Sequence, residues 1–312
     1  MPVPRFGGAA IVPVLLLGMV VFWPAGPTRL AQLVFVGGAF ALYLVGLIDD
    51  VRPLSTGVRF AAQFLVAGAL LAATRTGWAV GGDLPLAVGA LLLAVAIVAT
   101  INIYNFMDGI DGIAGVQAVV AGIGWAIIGT IVGSPVAVMS GSLTAAAALG
   151  FLTLNWPPAK IFMGDAGSTV LGFVFASLPL IAISCRVPEV RNLGIPEFQN
   201  SRMLIAGGLM VFPFLIDGVF TIFRRLTRRE NIFKAHRSHV YQRLVLSGLS
   251  HQTVTLVYGA VALVGAAAGI AVVVGPLALA GVLMVACVLA FGALWRWAVC
   301  REARAKLNRG GS

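Results

Sequence analysis

The sequence predicts an all-α fold: a polytopic transmembrane helix bundle of about ten spans, with both termini cytoplasmic. Three observations predict it. Of 312 residues, 60% are apolar and 10% charged, against roughly 25% charged in soluble domains, which excludes a water-soluble globule. Uncharged apolar runs close to the 20 residues that one bilayer crossing takes recur along the whole chain. The net charge of +10 would suggest nucleic acid in a soluble protein, but in a membrane protein it has a simpler source in Lys/Arg-rich cytoplasmic loops. No nucleic-acid partner is therefore expected.

The runs are bounded by Gly, Pro or charge. The first, 7–23, follows Arg5 and stops at Pro24. The second, 30–48, ends on Asp49-Asp50, and the third, 58–74, lies between Pro53 and Arg75. The fourth, 84–103, leads into Asn105 and Asp108; the fifth, 113–133, is bracketed by Gly112 and Pro135. The sixth, 137–154, stops at Asn155, and the seventh, 168–184, at Arg186. The eighth, 203–223, sits between Arg202 and Arg224-Arg225. Gly275-Pro276 divides the ninth, 253–273, from the tenth, 276–298. Such runs predict helices, because in lipid the backbone must satisfy its own hydrogen bonds. The chain reads as one integral-membrane domain, 1–312, with polar loops near 49–58, 104–112, 155–167 and 224–252. The start MPVPRFGGAA has no secretory-signal pattern, so the first span is expected in the mature protein. Cys185, Cys287 and Cys300 are too far apart to suggest a disulfide framework or a thiolate metal site.

Lys and Arg alternate unequally between the two sides. Sixteen, including Arg5, Arg59, Lys160, Arg224, Arg225 and Arg243, fall on one side, and five (Arg29, Arg75, Arg186, Arg191 and Arg202) on the other. The richer side is placed in the cytoplasm. Its largest loop, 224–252, holds seven basic residues and all three histidines.

That topology gathers Asp49, Asp50, Asp108, Asp111, Asp165 and Asp217, from four stretches of chain, on the same face. Carboxylates at helix C-termini are costly, because that end carries partial negative charge. Something positive must offset them. Asp108 and Asp111, at i and i+3, are expected on one helix face, whereas adjacent Asp49 and Asp50 cannot meet one partner in the same way. Hard oxygen ligands joined by a substrate phosphate are the usual setting for Mg²⁺, so the cluster reads as a metal and pyrophosphate site.

Four stretches carry a resemblance: LIDDVRPLSTGVRFAAQ (47–63), NIYNFMDGIDGIAG (102–115), LNWPPAKIFMGDAGSTVLG (154–172) and HRSHVYQRL (236–244). In this order they resemble the polyprenyl-phosphate N-acetylhexosamine-1-phosphate transferases, glycosyltransferase family 4. The resemblance runs over nearly the whole chain. It implies transfer of a sugar 1-phosphate from a UDP-N-acetylhexosamine to undecaprenyl phosphate at the cytoplasmic face of a bacterial inner membrane. Mg²⁺ is the implied cofactor, with Mn²⁺ as an alternative. The lipid bilayer is the implied setting, and a homodimer is left open.

Position by position, the resemblance implies that Asp49 and Asp50 activate the lipid phosphate and position the metal or diphosphate. Asn105, Asp108 and Asp111 are implied in nucleotide and metal contacts, and Asp165 as a magnesium ligand. Asn155 and Lys160 match polar site residues, Phe162 a ring that stacks on uracil, and Arg59 a basic residue suited to a phosphate. His239 keeps a family histidine with an implied catalytic role. His236, Arg237 and Arg243 are implied in substrate binding, and His251 is read as structural. The family's Pro-x-x-x-Asp pattern includes Asp217, with no role assigned. Tyr241 and Gln242 replace two histidines common in relatives. That departure resembles the branch that initiates O-antigen synthesis rather than the muramyl-peptide branch. Relatives usually have one more span ahead of the element matched by PVPRFGG.

Phosphoryl transfer is mostly positioning and charge neutralisation, so carboxylates holding a metal beside Arg or Lys suit the implied reaction. Two rivals fit less well. A multi-span ion-coupled transporter calls for charges near span centres and matching broken helices in two halves. An intramembrane prenyltransferase calls for DxxxD spacing rather than the DD and DxxD found here.

Overall fold

The structure is a computed structural model describing residues 3–23, 29–74, 86–185, 200–231, 238–275 and 277–310, with backbone only beyond 301. Among the described residues it is all helix. The elements are α1 (Gly7–Val21), α2 (Arg29–Val51), α3 (Thr56–Thr74), α4 (Leu86–Met107), α5 (Ile113–Val132) and α6 (Pro135–Asn155). They continue with α7 (Gly164–Ser184), α8 (Asn200–Met210), α9 (Phe212–Thr227), α10 (Val240–Leu246), α11 (His251–Val274) and α12 (Leu277–Gly310).

Among the described residues eight helices are long and apolar enough to cross a membrane, and α8 with α9 makes a ninth span if counted together. Two of the ten expected runs need correction. Helix α1 is only 15 residues, shorter than the expected 7–23. The eighth run, 203–223, is not one helix, because α8 and α9 meet at an 80° bend. Pro213 in the first turn of α9 explains the break: it has no N–H, and its ring excludes the carbonyl four residues back. Exposed backbone in a membrane needs partners, and buried Gln117 of α5 donates its Nε2 to the Met210 carbonyl at 2.8 Å.

Helix α7 is the hub and is buried over most of its length. It packs against α1, α2, α4 and α8, with Phe173 and Phe175 fully inside. Close approach is set by small residues, as helix packing in lipid requires. A Cβ on Gly8 of α1 would collide with the backbone of Gly167 in α7. The N-terminal strand of chain is held to the turn before α7: Phe162 N–H donates to the Pro4 carbonyl at 2.8 Å, and Gly7 N–H returns to the Phe162 carbonyl at 2.8 Å.

The C-terminal ends of α2, α4 and α6 and the N-terminal ends of α3, α5 and α7 lie together at one end of the bundle. Hydrogen bonds from α2 to α7, α4 to α7 and the α4–α5 turn to α6 fix this arrangement. The expected gathering of aspartates at one end is therefore what the chain forms. The expected helix face for Asp108 and Asp111 is not. Helix α4 ends at Met107, and the DGIDG segment is a turn whose Gly112 takes φ of 80°, a conformation natural for glycine.

Candidate active site

Helix α2 delivers Asp49 and Asp50 to different partners. Asp49 accepts the Leu54 N–H at 2.5 Å and an Arg59 guanidinium N–H at 3.0 Å. Arg59, on the first turns of α3, also stands 3.7 Å from Asp165. Asp50 turns to the start of α7, where its two oxygens accept the N–H groups of Asp165 at 2.8 Å and Ala166 at 3.1 Å. A carboxylate on the free amides of a helix N-terminus is favourable in both charge and hydrogen bonding. Gly164, with φ of 76°, makes the turn that brings Asp165 there.

Asp165 is fixed from a third side. Asn105 of α4 donates its Nδ2 to Asp165 Oδ1 at 3.0 Å and to Ser168 Oγ at 2.9 Å. Asp50, Asn105, Asp108, Asp111 and Asp165 line one cavity of about 340 Å³ with Phe162, which is partly exposed at its rim. Burial, then the nearby carboxylates of Asp165 and Asp50, push the Asp108 carboxyl well above the usual carboxylate range. Asp111 has its own partners on this cavity: its Oδ2 accepts the Ala159 N–H at 3.1 Å and lies 3.3 Å from His251 Nδ1. Buried Asn155 ties two loops, accepting from Gly112 N–H and donating to the Ile161 carbonyl, both at 2.8 Å.

Among the described residues no three His, Cys, Asp or Glu side chains stand close enough to form a metal cage. The donor set still suits Mg²⁺, which is commonly held by one or two carboxylates completed by substrate phosphates and water. Crowded carboxylates around half-buried Asp108 are a place where a cation would offset repulsion.

A second cavity is about 370 Å³, and a narrow gap lined by Asp49, Arg59, Asn102, Asn105 and Asp165 shares residues with both cavities. Arg59, Asn102 and His239 sit among apolar side chains of α3, α4 and α9, including Phe60, Phe64, Val98 and Ile222. His239 is held by Asp217, a fully buried residue of α9. Asp217 Oδ1 lies 3.2 Å from His239 Nδ1 and accepts the Val240 N–H at 2.9 Å; Oδ2 accepts the Tyr241 N–H at 3.1 Å and the Tyr258 hydroxyl at 2.6 Å. Tyr241 carries this frame to the other cavity. Its hydroxyl donates to the Phe106 carbonyl at 2.9 Å and fills the space where Gly109 lacks a Cβ. Burial, with Asp217 and Asp108 next, raises the Tyr241 phenol, so it is a neutral donor.

The structure thus brings together Asp49, Asp50, Arg59, Asn105, Asp108, Asp111, Asn155, Phe162, Asp165 and His239. It does not place Lys160 or Arg243 on either cavity. Lys160 is exposed, and the Arg243 guanidinium lies 4.2 Å over the Trp295 ring of α12. His236 and Arg237 lie outside the described residues. Sequence reasoning did not place Arg5 or His251 at the site, and both line the acidic cavity. Arg5 sits in the PVPRFGG element, a usable signal; His251 had none. Asn102 and Ser168 were also missed, although both flank motif residues.

Comparison with known proteins identifies the family. Residues 32–183 match the family model for glycosyl transferase family 4. The chain is 31% identical over 270 residues to a probable undecaprenyl-phosphate N-acetylglucosaminyl 1-phosphate transferase of Bacillus subtilis, covering 81% of this chain and 69% of that protein. It is 30% identical to the decaprenyl-phosphate N-acetylglucosaminephosphotransferase of Mycobacterium tuberculosis, over 82% and 69% respectively. It is 29% identical to a phospho-N-acetylmuramoyl-pentapeptide-transferase of Moorella thermoacetica, over 86% and 83%. These relatives do not favour the transporter alternative. The chain belongs to the polyprenyl-phosphate N-acetylhexosamine-1-phosphate transferases of glycosyl transferase family 4.

Proposed function

We propose that this protein transfers N-acetylglucosamine 1-phosphate from its UDP-sugar to undecaprenyl phosphate. The observation that carries the reading is the position of Arg59. It lines the apolar cavity and reaches Asp49 at 3.0 Å and Asp165 of the acidic cavity at 3.7 Å. A guanidinium at such a junction suits two phosphorylated reactants, one water-soluble and one carrying a lipid tail. The N-acetylglucosamine choice rests on the named substrates of the Bacillus and Mycobacterium relatives.

In this reading the UDP-sugar diphosphate enters the acidic cavity, with uracil against Phe162. Asp165 and Asp108 would hold Mg²⁺, which when bound supplies positive charge for the diphosphate. Asn105 and Asp50 hold Asp165 from two sides, so its position is set before substrate arrives. The undecaprenyl phosphate enters along the apolar cavity, its head between Arg59 and His239. Asp49 is placed to take a proton from an acceptor phosphate that arrives as the monoanion. The acceptor oxygen attacks the β-phosphorus, forming a new P–O bond. The bond to the α-phosphate oxygen breaks, and UMP leaves with that oxygen.

The Lys/Arg asymmetry supports an active site facing the cytoplasm of a bacterial inner membrane. Tyr241 and Gln242 support a product that starts an O-antigen or related surface glycan rather than a muramyl-peptide lipid. The test is to give the purified protein undecaprenyl phosphate, Mg²⁺ and a panel of UDP-sugars. UMP release with UDP-N-acetylglucosamine, dependent on the lipid, is the expected result. Release only with UDP-muramyl-pentapeptide, or none with any member, rejects the reading.

A further inference from the structure

At the opposite end of the bundle, a recess of about 350 Å³ opens between the end of α1 and the start of α2. Arg29 and Asp49 are twenty residues apart on α2, so the recess lies on the order of 30 Å from the acidic cluster. Its lining has two characters. Met19, Leu33 and Val36 form an apolar wall, and Trp23, Arg29 and Gln32 supply polar groups. Arg29, Gln32, Leu33 and Val36 follow i, i+3, i+4, i+7 spacing, so one stripe of α2 presents both parts.

Two of these polar groups lack partners. Trp23 Nε1 is buried with no hydrogen-bond acceptor. Gln32 is 7% exposed, and its side chain makes no hydrogen bond among the described residues. Arg29 is exposed. An indole and a guanidinium are donors only, and a glutamine amide adds two more N–H groups. Of these donors Trp23 Nε1 is buried without an acceptor, which is unfavourable, and a ligand rich in acceptors relieves that cost. The positive end of the α2 dipole favours an anion at the same place.

We propose that this recess binds an anionic phospholipid, its phosphodiester taken by Arg29, Gln32 and Trp23 and one acyl chain laid along Met19, Leu33 and Val36. A free anion would leave the apolar wall unused. A zwitterionic lipid would bring its ammonium to Arg29. The site is independent of the transferase chemistry.

Native mass spectrometry of the full-length protein tests it, with phosphatidylglycerol and phosphatidylcholine supplied at equal concentration after delipidation. The wild type is expected to keep one phosphatidylglycerol in preference to phosphatidylcholine. Arg29→Gln and Gln32→Leu are each expected to lower that adduct at least fivefold, with unchanged thermal melting. Arg29 is exposed, so its replacement leaves folding untouched and the result readable even if Gln32→Leu is unstable. Adducts at the basic end of the bundle are the same in all variants and cancel in the comparison. Equal retention of the two lipids, or an Arg29→Gln adduct matching the wild type, overturns the proposal.

Discussion

Asp50 accepts the backbone N–H groups of Asp165 and Ala166 at 2.8 and 3.1 Å across 115 positions of sequence. The contact makes Asp50 the acceptor at the start of α7 and so sets where the Asp165 carboxylate stands. Asp50→Asn keeps the shape but turns an amide NH₂ toward one of those N–H groups. Supporting residues of this kind typically cost about 10–100-fold when changed, and that loss is expected in kcat/KM for UMP release. A variant with wild-type kinetics shows that Asp165 is placed without it.

Arg59 joins the two cavities through Asp49 and Asp165. Arg59→Ala is expected to lower transferase activity on the order of 100-fold, as for removal of a donor to developing phosphate charge. Arg59→Lys keeps the charge but not the fork and should fall between. The comparison is made at saturating UDP-sugar with the lipid phosphate varied; an unchanged KM and kcat for the lipid argues against the junction.

Asp217 is buried and serves the amides of Val240 and Tyr241 and the hydroxyl of Tyr258. Asp217→Leu strands these three donors and the Thr221 hydroxyl, each costing roughly 1–3 kcal/mol when buried without a partner. A clear drop in thermal stability is expected along with lost activity. Tyr241→Phe removes the bond to the Phe106 carbonyl and the one accepted from Gln242, each worth about 1 kcal/mol, so it should fold. Comparable melting temperatures for Asp217→Leu and wild type would contradict this account.

Gly8→Ala tests the close approach of α1 and α7. The added Cβ meets the backbone of Gly167 rather than a side chain that can swing away. Overpacking of this kind costs about 1–3 kcal/mol, read as a lower melting temperature. Gly37→Ala, in open space on α2, is the control and should melt like the wild type.

Much of the arrangement was legible in the sequence because both its causes are local. Runs of apolar residues specify spans, and Lys/Arg asymmetry specifies which ends share a face, so Asp49, Asp108 and Asp165 were placed together without coordinates. The 80° bend at Met210–Phe212 was missed because hydropathy averages across it; Pro213 was the signal, yet prolines also lie inside α1 and α7. The turn carrying Asp108 and Asp111 was misread as helix because spacing i, i+3 says nothing once Gly112 adopts a left-handed backbone. The role of Asp217 was out of reach, since its partners come from α10 and α11, and no local pattern reports such long-range hydrogen bonds.

Chelation provides a separate check on the carboxylate pair. EDTA treatment is expected to abolish UMP release, and added Mg²⁺ to restore it, because the cavity holds acids but no third protein ligand among the described residues. Full activity in excess EDTA removes the metal from the account.

The most direct measurement is UMP release by Asp165→Asn, purified as a monodisperse protein and supplied with UDP-N-acetylglucosamine, undecaprenyl phosphate and Mg²⁺. Asp165 is where α2, α3 and α4 converge on α7, so the account predicts a loss of at least about 100-fold with little change in melting temperature. Activity equal to the wild type would contradict it.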